Sequence, residues 1–173
     1  MYEKFGQFID GSWSPSSNKE TYEVINPATE EVLGHASKAT PEDVDRALKS
    51  AEKGLAVWKK ITPWERSYIL RRIADKLREK KDVLAKWMTL ENGKPLAEGV
   101  GETNGAADIF EWNAEETKRI FGQTIESRFE DTRVHVYYQP VGVVAALSPW
   151  NFPLVLAARK ISTALAAGCS VII

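Results

Sequence analysis

The chain has 173 residues, 43% of them hydrophobic, a length and composition that suit a domain with a genuine core. Its 23 basic and 24 acidic residues leave a formal charge of −1, which offers no hold to nucleic acid or an anionic membrane. A single cysteine, Cys169, excludes an internal disulfide framework, and no apolar run approaches the roughly 18–20 residues of a spanning helix. The first residues lack the apolar core of a signal peptide, so the expectation is a soluble cytoplasmic protein.

The first forty residues read as small β hairpins. Residues 5–9 and 12–14 flank Asp10-Gly11, a two-residue turn signal in which both positions favour φ > 0. Residues 21–25 and 31–36 flank Asn26-Pro27-Ala28-Thr29, where Asn-Pro starts a turn and Pro27 forbids a continuous central strand.

A helical block follows. Thr40-Pro41-Glu42-Asp43 supplies a cap, a proline at the first helical position and acids that suit the helix dipole. Val44, Ala47, Leu48, Ala51, Leu55 and Trp58 then form one apolar stripe. Thr62-Pro63-Trp64-Glu65 reads as a capping box before a second helix, with Ile69, Leu70, Ile73 and Leu77 on its buried side. The mixed charges of that helix, Arg71 to Lys81, suit a solvated face rather than a nucleic-acid patch. A third helix carries Val83, Leu84, Trp87 and Leu90 and stops at Asn92-Gly93. Lys94-Pro95 opens a fourth, which Gly99, Gly101 and Gly105 weaken; close helix packing is their expected reason. The string GVGETNG is no dinucleotide fingerprint, because its last glycine is one place late and no strand precedes it.

Gly122 ends the block and residues 123–132 read as polar connection. Residues 133–139 alternate, with Val134, Val136 and Tyr138 on one face. Residues 141–147 are an apolar, β-branched run that predicts a strand buried on both faces of a parallel sheet. Ser148-Pro149-Trp150-Asn151 leads into a helix with Leu154, Ala158, Ile161 and Leu165 on one stripe, Gly168 closes it, and residues 170–173 begin a second strand. The whole is a βαβ unit, and in open α/β sheets ligands bind beyond the carboxyl ends of the strands, the place of residues 148–152. Asn151 has two readings here: an N-cap of the helix, or an amide turned into a cleft.

The string SPWNFP followed by Arg159-Lys160 and ALAAGC resembles the aldehyde dehydrogenase superfamily. NPATEEVLG at residues 26–34, ENGKPLAEG at 91–99 and FEWNAEETKRIFG at 110–122 are similar to segments of the same family in the same order, the last most similar to succinate-semialdehyde dehydrogenases. The resemblance implies an α/β fold, the N-terminal part of a Rossmann-like enzyme. Residues 1–122 would open the cofactor-binding domain, 123–139 would be a β arm that joins subunits, and 140–173 would be the first βαβ of the dinucleotide-binding domain.

The resemblance also implies an NAD- or NADP-dependent oxidation of an aldehyde, in which a cysteine and a glutamate beyond residue 173 act as nucleophile and base. Asn151 matches the side-chain amide that donates to the oxyanion, and Leu147, Ser148, Pro149 and Trp150 match positions lining the cofactor. Arg159 matches the arginine with which succinate-semialdehyde dehydrogenases hold the distal carboxylate, although geometry alone suggests a solvated pair with Lys160. Cys169 follows a helix-ending glycine and enters an apolar strand, the setting of an inert structural thiol. His35 and His135 lack any paired ligand spacing, so no metal is expected. An apolar strand running to Ile173 suggests the first portion of a longer enzyme, inactive by itself and self-associating as a dimer or tetramer when whole. The alternative is a non-catalytic binding or assembly module.

Overall fold

The computed structural model describes residues 6–173, and residue 5 of the first expected strand lies outside them. Strands β1 (Gln7–Ile9), β2 (Ser12–Ser14), β3 (Thr21–Ile25) and β4 (Val32–Ser37) precede helices α1 (Pro41–Trp58), α2 (Pro63–Glu79), α3 (Lys81–Asn92) and α4 (Leu96–Glu116). A 3₁₀ turn (Thr117–Arg119), strands β5 (Gln123–Glu126), β6 (Arg133–Val136) and β7 (Val143–Ala145), helix α5 (Pro153–Ala166) and strand β8 (Ser170–Ile172) complete it.

The two N-terminal hairpins form as expected. Asp10 and Gly11 take φ of 54° and 78°, and Phe8 faces Trp13 across the ladder with ring centroids 5.2 Å apart. Both predicted caps form, and both are capping boxes, Thr40 with Asp43 and Thr62 with Glu65. Backbone N–H donation from Thr40 pulls the Asp43 carboxyl down to about 2, assisted by the amide of Ser17 and opposed by burial.

The core lies where α2, α4 and α5 meet. Leu70 and Ala74 of α2, Ala106, Ala107, Phe110 and Ala114 of α4, and Ala158 and Ala166 of α5 form one buried cluster, with Ile73, Leu77, Leu154 and Leu165 packed against it. Most of these side chains are alanines, so the helices approach closely. Gly99 marks the tightest approach: a Cβ there would meet the backbone of Ala85 in α3 at 3.0 Å. Gly101 faces open space, so close packing accounts for only part of that glycine series.

Four expectations need correction. The α1 stripe is only partly covered, with Val44 and Leu48 exposed, because that helix packs on β7 and β8, a pair too narrow to hide it. Helix α3 buries Ala85 and Met88 and exposes Val83, since the contact with Gly99 requires a small residue on the facing side. Residues 123–126 are a strand rather than connection, paired antiparallel with β6 so that Ile125 opposes Val134. The strand expected over 141–147 is only β7, bounded by Gly142 at φ 128°; it pairs with β8 alone, so burial on both faces does not follow. The charged face of α2 is solvated as expected except at Arg78, which is half-buried and donates to Asp108 at 2.8 Å and to Glu111 at 2.6 Å on α4.

β7 and β8 pair parallel, Val144 opposite Val171, joined by α5 as the crossover. The end of α5 is a Schellman motif: Gly168 at φ 88° donates to Leu165 O at 3.0 Å, and Cys169 donates to Ala164 O at 2.9 Å. Trp58 Nε1 and Thr117 Oγ1 donate to the carbonyls of Leu165 and Ala166, so the last turn is satisfied by its neighbours. Cys169 is thereby buried at the bend that turns the chain into β8.

Candidate active site at the carboxyl end of β7

Residues 146–152 connect β7 to α5, and the connection is held by its carbonyls. Lys160 Nζ donates to Leu147 O, Asn92 Nδ2 to Trp150 O at 3.0 Å, and Lys94 Nζ to Asn151 O at 3.0 Å. With these carbonyls engaged, the side chains stand outward: Leu147 is 79% and Trp150 81% exposed, and Asn151 is exposed between Trp150 and Phe152. Ser148 Oγ is buried without a hydrogen-bond partner, an orphan polar atom at the start of the loop.

The two readings of Asn151 separate here. The N-cap position of α5 is Phe152, with no side-chain cap, and the free amides of Leu154 and Val155 donate instead to Glu102 Oε1 at 2.8 and 3.1 Å. A carboxylate from α4 thus does what a capping asparagine would do. Among the described residues the side-chain amide of Asn151 makes no hydrogen bond, so it is uncommitted at the carboxyl end of a parallel strand.

Arg159 and Lys160 part company. Lys160 is committed to Leu147 O, whereas the Arg159 side chain is exposed on the same helix with no ion pair among the described residues. By helix rise it stands about 9 Å along α5 from Pro153. The structure therefore gathers Leu147, Ser148, Pro149, Trp150 and Asn151 on one loop and sets Arg159 apart, two turns up the helix that the loop starts.

Three residues of this site were missed by sequence reasoning. Asn92, Lys94 and Glu102 reach the loop from the α3–α4 turn and from α4; the string ENGKP was the only signal for the first two, and Glu102 had none of its own. His35 lies in β4 and His135 in β6, where His135 Nδ1 is 3.1 Å from Thr124 Oγ1.

A sequence profile of the aldehyde dehydrogenase family matches residues 13–173. The chain belongs to the aldehyde dehydrogenase family. It is 45% identical over 166 residues to glutarate-semialdehyde dehydrogenase of Pseudomonas aeruginosa, covering 96% of this chain and 34% of that protein. To the NADP(+) succinate-semialdehyde dehydrogenase of Escherichia coli it is 44% identical over 165 residues, covering 95% of this chain and 34% of that one. A variant of betaine aldehyde dehydrogenase from Staphylococcus aureus, solved with NAD+, superposes with a TM-score of 0.93 at 38% identity, covering 97% of this chain and 35% of the other. The chain spans about a third of the length of the curated relatives it matches. Its α/β fold is that of the N-terminal region of these aldehyde dehydrogenases, enzymes that use NAD or NADP. Among the described residues no helix is long and apolar enough to cross a membrane.

Proposed function

We propose that the chain serves as the first part of a cytoplasmic NAD(P)-dependent aldehyde dehydrogenase that oxidises an aldehyde carrying a carboxylate. Succinate semialdehyde is the first candidate, and glutarate semialdehyde, one methylene longer, the second. The observation that carries this reading is the uncommitted amide of Asn151, freed from capping by Glu102.

A neutral side-chain amide needs no protonation state to donate, and a donor fixed before reaction stabilises a developing oxyanion without reorganisation. Asn151 would give its N–H to the carbonyl oxygen of the aldehyde as that oxygen gains charge. Nucleophile and base would come from outside these residues, as the family resemblance implies. A nicotinamide cofactor, when bound, would supply the hydride acceptor that the oxidation needs. The residues present fit it: Leu147 and Trp150 offer exposed apolar faces, Pro149 adds a third surface, and the orphan Ser148 Oγ lacks a partner that a polar cofactor edge can provide. Arg159 would receive the distal carboxylate, because a guanidinium fork binds a carboxylate through two parallel hydrogen bonds. The β5–β6 hairpin would be the arm that joins subunits.

Replacing Asn151 by Ala in the full-length enzyme tests this. Loss of one oxyanion donor is expected to lower kcat by roughly 10²–10³ while leaving cofactor affinity nearly intact. A collapse of cofactor affinity at unchanged kcat would show that Asn151 serves the cofactor and not the oxyanion.

A further inference from the structure

Glu102 and Lys94 lie eight residues apart, and both are nearly inaccessible, at 6% and 8% exposure. Their charges are paired through Glu102 Oε2 and Lys94 Nζ. The pair does more than neutralise itself. Glu102 Oε1 accepts both free amides at the start of α5, where a carboxylate also meets the positive end of the helix dipole. Lys94 Nζ donates to Asn151 O at 3.0 Å and lies 4.4 Å from the ring centroid of Phe152. Four consecutive positions around the candidate donor are therefore addressed: the carbonyls of Trp150 (through Asn92) and Asn151, the ring of Phe152, and the helix that begins at Pro153.

A buried ion pair is a poor device for stability, because desolvation of both charges offsets most of their attraction. It is a good device for geometry, because each partner has only one low-energy arrangement. Asn151 makes no side-chain hydrogen bond of its own among the described residues, so the aim of its amide is set by its backbone. That backbone is fixed by Lys94 on one side and by the Glu102-anchored helix on the other. We infer that Lys94 and Glu102 are positioning residues that hold the Asn151 amide where it can donate to the oxyanion. The inference rests on the oxyanion role proposed above for Asn151. A misplacement of about 1 Å at such a donor costs on the order of 10²-fold in rate.

A double-mutant cycle in the full-length enzyme distinguishes aim from mere support. Lys94→Met and Glu102→Gln are made singly and on the Asn151→Ala background, with kcat and the KM values measured for succinate semialdehyde and the nicotinamide nucleotide. Each single change is expected to lower kcat about 10–100-fold with the nucleotide KM within about threefold. On the Asn151→Ala background the same changes should cost less than about threefold, because the group they aim is gone. Where a single variant leaves one charge buried and fails to fold, the neutral pair Lys94→Met/Glu102→Gln replaces it: it keeps an acceptor for the two helix amides, leaves no unpaired charge, and loses the Lys94 contacts to Asn151 O and the Phe152 ring. Full additivity with Asn151→Ala, or lowered thermal stability at unchanged kcat, would overturn the inference and leave the oxyanion role standing. An Asn151→Ala enzyme of full kcat would remove that role, and the inference with it.

Discussion

Arg159 and Lys160 are neighbours of equal charge that the fold uses in opposite ways. Lys160 reaches back to Leu147 O and fastens the loop, so its ammonium is engaged by the protein itself. Arg159 keeps its fork exposed and without an ion pair among the described residues. Replacing Arg159 by Ala in the full-length enzyme is therefore expected to lower kcat/KM for succinate semialdehyde by about 30-fold or more, the scale of removing one partner of a desolvated charge pair. Butanal, which has no carboxylate, should be oxidised almost as before. Equal losses on the two aldehydes would make Arg159 a structural residue, and an enzyme indifferent to the carboxylate would remove the substrate assignment. At this scale the sequence was uneven. The string around Asn151 pointed to the loop, but whether the amide capped α5 or stood free depended on Glu102, a residue 49 positions earlier that reads as an ordinary helix acid until α5 docks against it.

Between elements, the decisive feature is how closely the helices approach. Gly99 and Gly101 lie in the same helix, and propensity alone would make either glycine about 1 kcal/mol worse than alanine. Their surroundings reverse the outcome for one of them. A Cβ at Gly99 would meet the Cα and carbonyl oxygen of Ala85 at 3.0 Å, backbone atoms that yield only if α3 and α4 move apart. A Cβ at Gly101 meets nothing within 4 Å. Gly99→Ala should therefore lower the urea midpoint of the full-length protein, and Gly101→Ala should raise it by the equivalent of up to about 1 kcal/mol. A rise for both would mean that the α3–α4 contact is softer than its geometry. The same feature explains which elements were legible. Helix α2 announced its buried side because it packs with Leu70, Ile73 and Leu77, whereas α3 buries Ala85, which carries almost no hydrophobic signal. The residue pattern missed β5, because Gln-Thr-Ile-Glu, exposed throughout, has no apolar alternation to find; only the family resemblance pointed to a β arm there.

For the whole molecule, the β5–β6 hairpin is the part least explained by the chain's own packing. Among the described residues its strands pair only with each other, all four residues of β5 are exposed, and its one cross-strand apolar pair, Ile125 opposite Val134, is left uncovered. An isolated two-stranded hairpin is marginal in water, so a further surface is needed to hold it. Arg133 Nη1 to Glu126 Oε2 at 2.6 Å closes the end of the ladder, but an exposed ion pair contributes at most about 1 kcal/mol. On the arm proposed above, a second subunit would supply that surface. Replacing Ile125 and Val134 together by Lys puts like charges directly opposite each other on that face, which should disfavour docking more than it alters the helical core some distance along the chain. Sedimentation velocity of the full-length double variant is expected to show a smaller species than the parent at the same concentration, with far-UV helical signal retained. An unchanged sedimentation coefficient, with the hairpin bearing two lysines, would place the subunit contact elsewhere and leave β5–β6 without a role in assembly.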